Sequence, residues 1–206
     1  HTVSTAYRFT LYHLLLNPLN PYQYTYDGGL RDIEKVPLEI EILESDGSIV
    51  TEQRTLHRSH YGPILELVQA GIPVLGWDNL RAYSLRDANA ENDRLLDQFF
   101  AWNKAQSLDE FKRLHGEILG IPWVNTVAAG PGQPVYYGDV SVVPNVPDDM
   151  VADCQPPILG PLVNSLVPGL PLLRGNRADC EWRSDDDAPA PGIFGTANLP
   201  KLERND

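Results

Sequence analysis

Residues 120–137 constrain the fold of this chain more than any other stretch. They read GIPWVNTVAA, continue through GPGQP and end on VYY. The β-branched and aromatic residues favour a pleated interior, and the Gly/Pro run favours a turn. We therefore predict a buried strand, a turn and a returning strand. Asn125 lies inside the apolar run, where its amide must find hydrogen-bond partners or cost stability.

Charge and composition exclude some classes of function. The 206 residues carry a formal net charge of -12, which argues against nucleic acid and anionic membrane surfaces as partners. No apolar run has the length of a membrane span, so we expect a soluble protein. The single methionine is Met150, and we therefore expect His1 to result from processing, cleavage or cropping.

The chain has two cysteines, Cys154 and Cys180. They are either two unrelated buried thiols or a disulfide that closes a Pro-rich loop. A disulfide there would stabilise the fold by about 3 kcal/mol in the chain-entropy model, and it would imply an oxidising compartment. Because residues 141–206 look too loop-like to hold together by packing alone, we predict the disulfide and a periplasmic or secreted location.

Residues 1–87 have the patterns of β structure. Alternating apolar residues predict strands at 1–16, 36–43 and 49–56, and Asp46-Gly47 between the last two is a strong hairpin signal. A short strand is expected at residues 82–87.

A pair of helices should follow at residues 91–104 and 108–118. Ser107 and Glu110 form a capping-box sequence, and Gly120 is expected to end the second helix. The helices should pack as a pair and bury their apolar residues against strands that include the 120–140 hairpin: Leu95, Phe99, Phe111, Leu114 and Ile118. The predicted fold class is α+β, in one incomplete domain over residues 1–206: β-rich at 1–87, helix pair at 88–119, hairpin at 120–140 and a Pro-rich, disulfide-closed excursion at 141–206.

Several stretches resemble the β-subunit of the penicillin acylase family and occur in that family's order. They are HTVSTAYRFTLYHL, SHYGPIL, YSLRDANAEN, the GIPWVNTVAA hairpin, and a tail from DCQPPI through DCEW to LPKLERND. The resemblance is nearest to the long-chain branch, which includes acyl-homoserine lactone acylases and aculeacin A acylase. It implies an N-terminal nucleophile hydrolase with a four-layer αββα sandwich, of which this chain would form part.

The same resemblance implies that the chain is an internal piece of a β-subunit. In the family, self-cleavage exposes a serine whose own α-amino group is the base, and the acyl group passes through an ester. That serine and a nearby histidine lie upstream of the stretch beginning at His1, and an asparagine and an arginine lie downstream of Asp206. We expect the isolated chain to be inactive. The parent should remove acyl groups, above all long fatty acyl chains, from acyl-homoserine lactones, lipopeptide antibiotics or penicillins. Its other partners would be the remaining β-subunit segments and the α-subunit.

The resemblance assigns roles to four residues. The backbone N–H of Val3 matches the oxyanion donor, and Phe99, Trp123 and Val124 match positions that line the acyl pocket. An apolar pocket suits a fatty chain, since each buried methylene contributes about 0.8 kcal/mol. The alternative is that all four are ordinary strand or core residues.

No metal or other cofactor is expected from the resemblance. Calcium-binding members place aspartates where this chain has Tyr7 and Thr10.

Two other classes of protein remain open from the residues. His1 could begin a copper-dependent polysaccharide monooxygenase, in which its amine and ring bind copper together with a second histidine: His13, His57, His60 or His115. Helices at residues 91–118 fit poorly into such a small β-sandwich. Alternatively, exposed tryptophans would make a non-catalytic binding module: Trp77, Trp102 and Trp182.

Overall fold

The computed structural model describes residues 2–66 and 75–205. Contacts within the chain group these residues into two compact units. The sheet unit contains residues 11–66, 75–86 and 153–180, and the helix–hairpin unit contains residues 2–10, 87–152 and 181–205. The prediction that residues 1–206 are one incomplete domain is not tested by this grouping. The prediction for His1 lies outside the described residues.

A mixed sheet forms the sheet unit. Its strands follow the spatial order β3-β2-β1-β7-β6-β5-β4, and β10 pairs with β1 in parallel. Their bounds are β1 Phe9–Asn17, β2 Asn20–Tyr26, β3 Gly29–Asp32, β4 Glu34–Leu43, β5 Ile49–Ser59, β6 Gly62–Leu65, β7 Arg81–Asp87 and β10 Leu172–Arg174. The predicted dominance of β structure in this part of the chain is confirmed, although the first strand begins at Phe9 rather than at residue 1.

Strand β1 lies inside this sheet, between β2 and β7, and is buried along most of its length. Tyr12 is fully buried, and its ring stacks on that of Tyr61 with 3.6 Å between the centroids. Its hydroxyl donates to the carbonyl oxygen of Cys180 at 3.2 Å. Burial of such large side chains stabilises this unit.

The predicted hairpin at residues 36–56 is confirmed as β4 and β5. Gly47 has φ 86°, a value that favours glycine, and the Asp46 carboxylate accepts the Ser48 N–H at 2.9 Å. Most residues on both strands are exposed, so the alternating pattern here does not mark one buried face.

The predicted disulfide is present between Cys154 and Cys180. Their Cα atoms are 5.5 Å apart, in the usual range for this bond, and both residues are buried. It connects the end of helix α3 (Asp148–Cys154) to a 3-10 helix (Ala178–Cys180). The segment closed by this bond contains helix α4 (Leu159–Leu166) and β10.

The helix–hairpin unit contains a helix pair and a three-stranded sheet of order β11-β9-β8. The bounds are α1 Leu95–Lys104, α2 Leu108–Ile118, β8 Thr126–Ala128, β9 Val135–Gly138 and β11 Lys201–Arg204, with a 3-10 helix at Thr196–Asn198. Part of its buried apolar core is formed by Leu119, Val140, Val142, Ile193 and Leu199. No helix in the described parts of the chain is long and apolar enough to cross a membrane.

The bounds of α2 agree with the sequence prediction, but the predicted capping is present only in part. The Ser107 hydroxyl accepts the Glu110 N–H at 3.1 Å, as predicted, while the Glu110 carboxylate accepts the N–H of Gln106 rather than that of Ser107. Gly120 does not end the helix: Leu119 takes the left-handed conformation with φ 46°. Helix α1 begins at Leu95, four residues later than predicted.

The two helices pack as a pair, as predicted, but none of the five apolar residues predicted to be buried there is fully buried. Trp102 stacks on Phe111 with 4.5 Å between the centroids. Phe99 is 47% exposed, and the other predicted core residues, Leu95, Phe111, Leu114 and Ile118, are half-buried. The side chains fully buried on these helices are polar, Gln98 and His115. Both bond to other groups of the unit, which removes the cost of burying them.

Close backbone packing requires a glycine at position 120. A Cβ there would lie 2.4 Å from the carbonyl oxygen of Arg94, whereas at Gly130 its nearest neighbour would be 3.6 Å away. We expect Gly120→Ala to lower the free energy of unfolding by about 1–3 kcal/mol, because backbone atoms must move. Gly130→Ala is the matched control and should change it by less than about 0.5 kcal/mol. Urea unfolding measures both, and equal stability of the two variants would contradict the packing described.

Candidate functional site

An isolated antiparallel bridge brings Val3 to Val124. Two backbone hydrogen bonds flank the pair: the Ser4 N–H donates to the Trp123 carbonyl at 3.0 Å, and the Asn125 N–H donates to the Thr2 carbonyl at 3.1 Å. Val3 and Val124 are therefore a non-hydrogen-bonded pair, in which neither residue's own N–H points at the other strand.

The direction of the Val3 N–H follows from the peptide plane. The peptide between Thr2 and Val3 is trans, so its carbonyl and its N–H point in opposite directions. Because the Thr2 carbonyl is bonded to Asn125, the Val3 N–H points away from the 123–125 strand. No hydrogen bond from this N–H to another described residue is present. The arrangement leaves a backbone donor that can face a negatively charged oxygen.

Side-chain amides hold the segment that leads into Trp123. Asn92 donates to the Gly120 carbonyl at 3.0 Å, and Asn89 donates to the Pro122 carbonyl at 3.2 Å. Gln98 accepts the Gly120 N–H at 3.1 Å. Sequence reasoning missed these roles. Asn89 and Asn92 were visible in the YSLRDANAEN stretch, but nothing local in that stretch indicates carbonyl partners so far along the chain.

A second group of polar side chains lies beside the bridge. The Ser4 hydroxyl donates to Asp139 at 2.9 Å, and Arg8 donates to the Ser141 hydroxyl at 2.9 Å. An Arg8 nitrogen lies 3.9 Å from the second Asp139 oxygen. The sequence prediction did not include these residues either.

The apolar residues of the site lie at the surface. Trp123 is 53% exposed, Val127 65% and Val3 60%, so the prediction of a buried strand is wrong for this side of the hairpin. The covered side carries Tyr136, which is 2% exposed. The β-branched and aromatic content of this stretch predicted strands, but it could not say which of their faces is covered.

Of the four predicted site residues, the structure brings three together. Val3 pairs with Val124, and Trp123 precedes Val124 in the same segment. Phe99 lies on α1, where its ring contacts Trp102 with 5.6 Å between the centroids. Its predicted role in the acyl pocket stays a prediction, as do those of the other three.

His115 connects the helix pair to the hairpin. Its Nε2 lies 2.8 Å from the Val140 carbonyl, which can only accept, so Nε2 carries the proton and Nδ1 accepts from the Tyr136 hydroxyl at 3.1 Å. Burial lowers the pKa of the His115 imidazole to about 4, although the bond to Val140 opposes the shift. Burial likewise raises the pKa of Tyr136 to about 12. Both groups are neutral near pH 7 and act as structural links.

The tryptophans proposed for a binding module are half-buried, so the expectation that they are exposed is wrong. Trp102 donates to the Phe111 carbonyl at 3.3 Å, and Trp182 donates to the Thr10 hydroxyl at 2.8 Å. In the sheet unit, the edge of the Trp77 ring meets His57 and Tyr22: centroid distances are 4.7 and 5.7 Å.

His1, the residue on which the copper hypothesis depends, is not among the described residues. Within residues 2–66 and 75–205 there is no group of three or more histidine, cysteine, aspartate or glutamate residues that could hold a metal ion.

Known proteins match this chain over its whole length. The family model described as Penicillin amidase matches residues 1–206. The acyl-homoserine lactone acylase PvdQ of Pseudomonas fluorescens is 39% identical over 206 residues, which is 100% of this chain and 25% of that protein. Aculeacin-A acylase of Actinoplanes utahensis is 36% identical over 207 residues, again 100% of this chain and 25% of that protein.

A solved structure has a similar fold. A thermostable penicillin G acylase from Alcaligenes faecalis matches with a TM-score of 0.66 at 18% identity, over 98% of this chain and 30% of that chain.

The pKa of His115 predicts how stability depends on pH. A folded-state pKa of about 4, below the ordinary 6.5, means that unfolding takes up a proton between these values. The contribution of His115 to the free energy of unfolding is therefore fully present above pH 6.5, where it amounts to at most about 3 kcal/mol. It is lost as the pH falls towards 4.

His115→Gln should remove this part of the decline in unfolding free energy between pH 7 and 4.5. Tyr136→Phe, which keeps the imidazole, should retain most of it. Urea unfolding of the three proteins at several pH values measures the effect, and an unchanged slope in His115→Gln would contradict the assignment.

Proposed function

Because this chain belongs to the penicillin amidase family, we propose that it is part of a larger amidohydrolase that removes acyl groups from amides. The chain spans 25% of the length of the curated relatives that it matches, and their names describe acylases. The relatives' substrates, as named, are an acyl-homoserine lactone and aculeacin A. We extend to the parent of this chain the removal of an acyl group, and the preference for a long acyl chain is our own proposal.

The observation that best supports a catalytic contribution is the direction of the Val3 N–H. A backbone donor held by the bridge to Val124 is already aligned when charge develops on the carbonyl oxygen of the substrate. One such donor contributes on the order of 3 kcal/mol of transition-state stabilisation. In the proposed reaction the nucleophile is a serine outside these 206 residues, and the Val3 amide binds the oxyanion.

Substrate binding would use the apolar residues next to this donor. Trp123 is 53% exposed and Val124 is paired with Val3, which supports a role for both in binding the acyl chain near the Val3 amide. We include Phe99 because this residue is 47% exposed on α1. Burial of the acyl methylenes supplies the binding energy.

The proposal extends to assembly and location. The parent fold would be the four-layer αββα sandwich, completed by the other β-subunit segments and an α-subunit. The likeness to a solved penicillin G acylase supports an acylase fold at a coarser level. A periplasmic or secreted location is supported by the disulfide between Cys154 and Cys180, since such bonds persist in oxidising compartments.

The parent protein should hydrolyse a long-chain N-acyl amide, and the isolated 206-residue chain should not. The reason is that the proposed serine nucleophile lies outside the chain. Release of amine from a fatty-acyl homoserine lactone measures both activities, and acetylation of the parent's terminal amine is the control. Turnover by the purified chain would contradict the proposal, and so would an inactive parent that has undergone self-cleavage.

Trp123 should control the preference for acyl-chain length. In the parent, Trp123→Ala should lower kcat/KM for a long acyl chain by about tenfold, because buried methylenes lose their contacts, and should affect an acetyl substrate little. Trp182→Phe, at a tryptophan bonded to Thr10, is the matched control and should leave the chain-length dependence unchanged. Equal losses for long and short substrates would exclude Trp123 from the acyl pocket.

A further inference from the structure

The residue after Val3 is fixed by three hydrogen bonds. Its backbone N–H donates to Trp123, its hydroxyl accepts the Ala6 N–H at 3.3 Å, and the same hydroxyl donates to Asp139 at 2.9 Å. Together they fix the backbone conformation of Ser4. Ser4 and Val3 share a peptide bond, so loss of these hydrogen bonds would free rotation about the Val3 Cα and with it the preceding peptide, which carries the Val3 N–H.

The Asp139 carboxylate that binds the Ser4 hydroxyl lies beside a cation, the Arg8 guanidinium. The Arg8 side chain is 10% exposed and that of Asp139 21%, so both charges are largely withdrawn from water. Burial lowers the pKa of the Arg8 guanidinium from its ordinary value, and the Asp139 carboxylate opposes the shift. The Asp139 carboxylate in turn accepts the hydrogen bond from the Ser4 hydroxyl through its other oxygen.

The ion pair between Arg8 and Asp139 is a poor source of folding stability. Its closest approach is 3.9 Å, longer than a hydrogen bond. Within the described chain, the Nε and Nη1 atoms of Arg8 and the Oδ1 atom of Asp139 are buried without a hydrogen-bond partner. A buried pair with unsatisfied atoms costs more free energy than a well-packed apolar pair would. The cost is explained if the pair holds something that must be placed accurately.

We propose that Ser4, Asp139 and Arg8 are positioning residues that orient the Val3 N–H towards the oxyanion. This inference rests on the proposed function, since it assigns residues to the same site. Asp139 holds the Ser4 hydroxyl, and Arg8 holds Asp139 while its own guanidinium is anchored on the fully buried Ser141. The bridge to Val124 sets the direction of the Val3 N–H, and this network prevents it from turning.

The test uses the intact parent enzyme with three substitutions: Ser4→Ala, Asp139→Asn and Arg8→Lys. Each should lower kcat by about 10- to 100-fold with KM changed less than about twofold, because a misplaced donor is lost mainly in the transition state. Ser4→Thr keeps the hydroxyl and should recover most of the activity. Arg113→Lys, at an exposed arginine paired with Glu117, is the matched control for Arg8→Lys and should behave as the unaltered enzyme.

Two measurements distinguish a misplaced oxyanion donor from a smaller amount of folded enzyme. Rates are expressed per active site, titrated with a covalent serine reagent, so that unfolded enzyme does not count. Affinity for an alkyl boronic acid, which mimics the tetrahedral oxyanion, should fall in parallel with kcat. If Asp139→Asn gives no titratable sites, Ser4→Ala, which removes one hydroxyl from a half-buried residue, decides the matter.

An active parent in which Ser4→Ala retains kcat per site within twofold would overturn the positioning role alone. So would a rise in KM at unchanged kcat. Inactivity of the unaltered, self-cleaved parent would instead contradict the proposed function on which this inference rests.

Discussion

The site depends on one constraint, the planar trans peptide between Thr2 and Val3 held by an antiparallel bridge. The Asn125 N–H fixes the Thr2 carbonyl, and peptide planarity then fixes the opposite direction for the Val3 N–H. The orientation thus comes from the main chain, and no side chain of Val3 is needed. The bridge in turn requires that residues 123–125 stay in place, which makes the rest of the helix–hairpin unit a support for this pairing.

That support includes polar contacts that are buried or partly buried. Asn89, Asn92 and Gln98 bond to the backbone of residues 120–122, and Gly120 allows that backbone to approach the carbonyl of Arg94. His115 joins α2 to Tyr136 and to the Val140 carbonyl. Polar contacts of this kind are directional, so they specify where the segment lies more narrowly than apolar packing would. This is the property that a preorganised oxyanion donor requires.

The sequence predicted the features that depend on neighbouring residues. The turn at Asp46-Gly47 and the cap at Ser107 follow from local backbone preferences, and both are present. The disulfide followed from the need to close a loop-rich segment. Burial was predicted less well: Phe99 and Trp123 are about half exposed, while Gln98 and His115 are buried. The hydrophobic pattern predicts burial from residue type alone. It cannot show that an amide or an imidazole is buried because its hydrogen-bond partners lie in distant segments. The pairing of Val3 with Val124 likewise joins distant parts of the chain, and the roles assigned to these residues came only from the family resemblance.

The most direct test of the account removes the Val3 N–H with the smallest possible change to the rest of the bridge. Replacing Val3 in the intact parent by the corresponding α-hydroxy acid turns the amide into an ester, which keeps the side chain and the Thr2 carbonyl. The account predicts that kcat falls by about 10²- to 10³-fold while KM stays nearly constant. Val3→Ala, which truncates the side chain but keeps the amide, should lose little. A kcat within twofold of the unaltered enzyme after the ester replacement would show that Val3 does not bind the oxyanion.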